Sequence, residues 1–294
     1  MKYIDANIVH KKMDKRLNLN KFMKSMFFSL TLFALVVLAI LIYRVLSQSI
    51  GWIDLQFLTN KLSLNPERSG IKGVIFGTVW LMIVVAPITM ILGIGTAIYL
   101  EEYAKKGRLQ SIIQTNITNL AGVPSVIFGL LGLTVFSRLF GLGSSILAGG
   151  LTMSLLVLPI VVVASQEAIR AVPQFLREAS YGMGATKWQT VKNVVIPAAL
   201  PGVLTGFILS LSRAIGETAP LVVIGIPALI MPVPNSIMDD FTVLPIQIYY
   251  WTLDSVLTAE YANLAAATIV VLLIILFLMN SIAIIVRNKY QKRF

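Results

Sequence analysis

Six apolar runs divide this chain, over residues 24–46, 71–100, 115–138, 144–165, 200–224 and 260–286. A helix needs about 20 mostly apolar residues to cross a bilayer, so each run is a candidate span. The chain is 57% hydrophobic and only 13% charged, where a soluble domain carries roughly 25% charged residues. The expected fold class is all-α: a polytopic membrane protein with six transmembrane helices. The first run exceeds the roughly 7–15-residue core of a signal peptide. No small-x-small cleavage site follows it, so it is expected to stay as a span.

Four regions follow from this pattern. Residues 1–23 are basic and read as a disordered cytoplasmic tail. Residues 24–70 form the first span and an external loop, with Trp52 and Phe57 expected at the membrane interface. Residues 71–286 form the main membrane domain, with a polar central loop at 166–199, and 287–294 are a second basic tail. Gly73 and Gly77, four apart, permit close helix contact, and Pro87 predicts a kink. The third run is the weakest. Asn116 and Asn119 stand near its start, and Gly122, Pro124, Gly129 and Gly132 predict a broken or tightly packed helix. In lipid such a break survives only where protein or a water-filled cavity covers the backbone. Residues 141–143 predict a tight turn. Residues 225–258, with Pro227, Pro232, Pro234 and Pro245, form the largest external segment. A short interfacial helix is expected near 246–251, placing Tyr249, Tyr250 and Trp251 at headgroup level.

Charge sets the orientation. Eighteen of the 24 Lys and Arg fall in the segments that six spans place on the side of both termini. Segment 225–258 has none, and carries Asp239, Asp240 and Asp254. Positive residues favour the cytoplasmic side, so both termini and loop 166–199 are expected in the cytoplasm of a multi-pass cell-membrane protein. The net charge of +11 is then a matter of topology, and nucleic acid is not an expected partner.

Within the central loop, residues 178–197 read EASYGMGATKWQTVKNVVIP. Pro173 suits a first helical turn, Gly182 and Gly184 suit a turn, and Thr186 suits a cap for a second short helix ending at Pro197. Trp188, Val191 and Val195 recur at helical spacing and predict one apolar face. Glu178, Ala179, Ser180, Gly184, Val194, Ile196 and Pro197 are spaced as in the cytoplasmic "EAA" loop of ABC importer permeases, which this stretch resembles. The family pattern has Ala at 180, Ile at 194 and Leu at 196. The resemblance implies that the loop is a coupling helix docking in a cleft of a separate ATPase. Read without it, the same stretch is a solvated helix-turn-helix between spans.

The fifth run contains Arg213 and Glu217, one helical turn apart and expected on one face. An ionised group near the bilayer centre costs at least about 2.5 kcal/mol, so the two must pair or face a wet cavity. One reading is an ion pair locking neighbouring helices. The other is a translocation pathway in which the planar fork of Arg213 meets a phosphate-like oxyanion and Glu217 holds it or gates the path. Arg170 is an accessory charge. Residues 212–218 followed by Ala219-Pro220, residues 93–104 and residues 122–125 resemble the phosphate-specific branch of the importer permeases, over about residues 71–286. Ala219-Pro220 favours one of the two subunit types that this branch pairs. The resemblance implies a five-helix permease core and a related permease subunit as partner. It also implies an ATPase dimer inside, an extracytoplasmic phosphate-binding protein outside, and phosphate as the substrate in the lipid bilayer.

Other chemistry is poorly supported. The chain has no cysteine and its single histidine is His10, which leaves no thiolate site and no Ser/His/Asp set. It lacks a G-x-x-x-x-G-K-[ST] stretch, so ATP and Mg are expected to be used by the partner ATPase, with no cofactor or metal on this chain. Glu101-Glu102, within a short charged loop at 101–110, and Asp239-Asp240 read as solvated carboxylates. The alternatives are the other subunit of the pair, a permease for sulfate or molybdate, a membrane assembly factor that transports nothing, and, furthest off, a membrane enzyme.

Overall fold

The computed structural model describes residues 6–227 and 232–290; Lys2, Lys292 and Arg293 of the basic tails lie outside them. Helix α1 (Ala6–Ser49) contains no glycine or proline to stop it. It therefore runs back through the basic segment, where the sequence reading expects disorder. No residue in its apolar stretch is buried, and it packs chiefly against the last helix. Asp54 starts α2 (Leu55–Thr59) by accepting from Phe57 N at 2.6 Å. A 3₁₀ turn (Pro66–Arg68) follows, then α3 (Lys72–Ile98), which continues through Pro87 into a π turn (Tyr99–Tyr103).

The third run is broken as expected. α4 (Arg108–Leu120) and α5 (Ser125–Leu131), the latter extended by a π segment (Gly132–Leu139), meet at 105°. Gly141 and Gly143 make the tight turn with φ 68° and 60°. α6 (Ile146–Arg170) is capped by Ser145, and the central loop holds α7 (Gln174–Gly182). α8 (Lys187–Thr190), a π turn (Val191–Val195) and α9 (Ile196–Gly216) then form one helical run. α10 (Ala219–Ile224), α11 (Leu244–Asp254) and α12 (Glu260–Tyr290) complete the chain. Five of these runs are long and apolar enough to cross a membrane, and the bent α4–α5 pair makes a sixth if it counts as one span.

Two expected boundaries move. Pro197 does not end the second loop helix. A π turn precedes it, and a widened turn relieves the clash of the ring with the carbonyl four residues back. The fifth span is not continuous to Ile224. α9 stops at Gly216, Glu217 is extended (φ −78°, ψ 126°), and Pro220 stands in the first turn of a new helix. The ring of Pro220 cannot accept a helical carbonyl at residue 216, so the break is dictated locally.

Small residues set the core. Helices in lipid gain little from the hydrophobic effect and associate through close packing. A Cβ on Gly150 would stand 2.5 Å from Val84 Cγ1, and one on Gly93 2.7 Å from Val161 Cγ1, so α3 and α6 pack with glycine on one helix against valine side chains of the other. Gly202 and Gly206 of α9 back in the same way onto Ala168 and Ala164 of α6. The expected helix contact at Gly77 is instead with extended chain: Gly77 abuts the Thr242 carbonyl, and Thr78 Oγ1 accepts from Leu244 N at 3.0 Å. Residues 241–247 are all buried, so part of the segment expected to be external is folded into the core. Phe57 and Trp251 are buried as well, ring to ring at 6.5 Å. They sit in one cluster with Ile71, Leu244 and Leu264, packed against protein, because the first loop closes over α11. Tyr249 remains exposed.

Gly150→Leu should destabilise the α3–α6 packing by about 1–3 kcal/mol, the usual range for overpacking. Gly95→Ala should be neutral or stabilising by up to about 1 kcal/mol, since nothing lies within 4 Å of a Cβ there and alanine favours the helix. Thermal unfolding of the detergent-solubilised chain compares the two.

Candidate functional site: a docking loop and a charged helix break

The loop is built from short-range rules. Pro173 takes the N-cap position of α7, and Gly184 turns the chain with φ 80°, a region that L side chains rarely adopt. Thr186 accepts from Gln189 N while Gln189 Oε1 accepts from Thr186 N at 2.8 Å, a reciprocal cap that starts α8. Ser180 and Thr190 share a hydroxyl hydrogen bond of 2.9 Å that ties α7 to α8.

An open cleft of about 670 Å³ lies between α7 and the α8 run. Ala179, Ser180, Gly184 and Val194 line it together with Asn193. Four of the seven motif residues are thus gathered around one concavity. Glu178 is exposed outside its lining, and Ile196 and Pro197 are half-buried where α9 begins. Met183 is 90% exposed, and Phe175, Tyr181 and Trp188 are also exposed. Trp188 does not share the buried face of Val191 and Val195. Spacing alone could not reveal this.

Beneath the loop, Glu101 and Glu102 are not solvated carboxylates. Arg170 donates to Glu101 through Nε at 2.9 Å and Nη2 at 2.7 Å, and Arg177 donates to Glu102 at 2.9 and 3.2 Å. Lys187 Nζ stands 5.2 Å over the Tyr103 ring. The sequence held a signal for this: two carboxylates after a span, and two arginines seven apart flanking Pro173.

Arg213 and Glu217 remain together, Nε to Oε1 at 3.7 Å, but not on one helical face, since Glu217 lies past the end of α9. At that distance they attract without a hydrogen bond. The Arg213 side chain is 63% exposed and Glu217 21%. Among the described residues Glu217 is the only ion-pair partner of Arg213. Arg213 lies sixteen residues beyond Pro197, about 24 Å along the helix, in the last turn of α9 at the end away from the loop. Arg170 belongs elsewhere: the Gly202–Ala168 contact sets it near the loop end of α9, about 17 Å or more along the helix from Arg213. After the break, α10 packs on α5, the piece that follows the other break. A Cβ on Gly129 would stand 2.8 Å from Pro220 Cα and from Val223 Cβ. Each broken span therefore covers the other.

Spans packed through glycine, two interlocked breaks and a folded polar loop define a polytopic helical membrane protein. The fold is similar to that in the crystal structure of a bacterial alginate ABC transporter in complex with alginate pentasaccharide-bound periplasmic protein, with TM-score 0.64 and 16% identity over 92% of this chain and 96% of that one. It is also similar to the MetNI methionine ABC transporter in its inward-facing conformation, with TM-score 0.60 and 18% identity over 76% and 96% of the two chains. At such identities the likeness is one of fold. Residues 89–292 match the family described as binding-protein-dependent transport system inner membrane component, and the chain belongs to that family.

Relatives include the phosphate transport system permease protein PstA 1 of Mycobacterium tuberculosis (strain H37Rv), 36% identical over 70% of this chain and 68% of that protein. The PstA protein of Yersinia pestis is 29% identical over 88% and 86%. The probable ABC transporter permease protein YqgI of Bacillus subtilis (strain 168) is 36% identical over 60% of this chain, and the chain spans 60% of its length.

Thr186→Val removes one arm of the reciprocal cap and should cost about 1 kcal/mol locally. Hydrogen exchange at residues 187–190 should quicken, with the exchange of α6 unchanged.

Proposed function

We propose that this chain is the PstA-like permease subunit of an ATP-driven phosphate importer of the inner membrane. It forms half of the translocation pathway with a related PstC-like subunit. Its loop, through Glu178, Ala179, Ser180, Gly184, Val194, Ile196 and Pro197, seats against a PstB-like ATPase dimer that uses ATP and Mg. A PstS-like binding protein delivers phosphate from the opposite side. Both termini and the loop are cytoplasmic, and the chain itself holds no cofactor. The PstA relatives support the substrate.

The observation that carries this reading is the state of Arg213. Its side chain is mostly exposed, in the last turn of α9 beside the helix break, with only a long contact to Glu217. A cation in that position needs water, an anion or a second chain around it. A pathway shared with a second permease supplies the first two, and arginine's fork fits a tetrahedral oxyanion. Sulfate and molybdate offer the same geometry, so the substrate presented by the binding protein separates these cases. Arg213→Gln keeps a polar side chain and removes the charge. Hydrogen bonds to charged groups contribute about 1.5–3 kcal/mol, so phosphate uptake should fall at least about tenfold while the complex still assembles. Uptake at the native rate would reject the pathway role.

A further inference from the structure

The loop is joined covalently to α6 and α9, so any push on it reaches those helices directly. α3 has no such link. Its end is tied to the loop region by side chains alone, and three consecutive residues of its π turn make the ties. Glu101 binds Arg170 at the end of α6, Glu102 binds Arg177 on α7, and Tyr103 lies under Lys187 on α8. A regular α turn would spread three successive side chains around the helix; the widened turn changes that spread.

The two arginine ties differ. Arg177 and Glu102 are nearly enclosed, with side chains 12% and 8% exposed. The remaining donors of Arg177 reach the Val172 carbonyl at 2.6 Å and the Ile169 carbonyl at 3.0 Å, so it also caps the last turn of α6. Arg170 makes a two-pronged bond to Glu101, but its own side chain is half exposed and is shared with Glu167. At its other end α3 holds the buried external segment, through Gly77 against Thr242 and Thr78 on Leu244 N.

We propose that Glu101 and Glu102 are positioning residues that lock α3 to the loop. Displacement of the loop then carries α3 as a rigid rod and reaches segment 241–247 on the far side. The Glu102–Arg177 pair is the fixed pin, and the outer Glu101–Arg170 pair sets the angle of the rod. This rests on the loop being the part of the chain that an ATPase moves.

The chain has no cysteine, so introduced cysteines carry spin labels without background. Lys106→Cys and Gln174→Cys, both exposed, report the distance between the end of α3 and α7. The measurement uses the full-length chain in lipid nanodiscs, alone and assembled with its ATPase. The distance should be narrow and unchanged by ATP. It should broaden in Arg177→Gln and in Glu101→Arg, and narrow again in the reversed pair Glu101→Arg/Arg170→Glu. In the assembled complex, phosphate imported per ATP hydrolysed should fall about tenfold in Glu101→Arg, within the range for coupling residues, and recover in the reversed pair. Distances that stay narrow in both single variants would overturn the proposal, as would a reversed pair no better than Glu101→Arg. If Arg177→Gln does not fold, the half-exposed outer pair decides the matter. If the native complex imports no phosphate, the functional reading fails, while the label distances still decide the lock.

Discussion

Lipid offers no hydrogen bonds, and this fold is governed by where its backbone is nevertheless allowed to leave the helix. An unpaired amide or carbonyl in hydrocarbon costs several kcal/mol, so most of the chain runs as uninterrupted helix. The exceptions are concentrated. The breaks after Leu120 and after Gly216 lead into α5 and α10, which lie against each other through Gly129 and Pro220. The π turns at 99–103 and 191–195 flank the central loop. Irregular backbone thus sits where another part of the protein covers it, or where the chain leaves the bilayer.

The same economy sorts the charges. The ions beneath the loop are saturated: Arg177 spends its donors on one carboxylate and two carbonyls, and Arg170 faces two carboxylates. Such a network holds elements in register and leaves little capacity for a ligand. The pair at the α9 break is the opposite. Arg213 reaches Glu217 only at 3.7 Å and points largely outward. One group of charges is built to fix geometry, and the other is left available. In the proposed function the first group serves the connection to the motor and the second the path of the substrate.

Much of this was legible in the residues. The apolar runs gave the spans, Gly122-x-Pro124 marked the first break, and Thr186 and Gly184 marked the cap and turn of the loop. What escaped the sequence reading depends on partners distant in the chain. Nothing local says that Glu102 will meet Arg177, or that Gly77 will meet the Thr242 carbonyl, since those contacts exist only after the spans pack. The break at Glu217 was present locally, in Pro220 four residues after Gly216, but an apolar run masks a helix end when composition alone is followed.

The central claim is that the loop, with its cleft and its exposed Met183, is where a nucleotide-hydrolysing motor takes hold. A photo-crosslinking amino acid at position 183 of the purified complex tests this most directly, with one at Leu257, which is equally exposed near the start of α12, as the reference. The account predicts that position 183 is joined to the ATPase subunit, identified by mass spectrometry, and that position 257 is not. Crosslinks from position 183 to the extracytoplasmic binding protein, or to lipid alone while position 257 captures the ATPase, would contradict it.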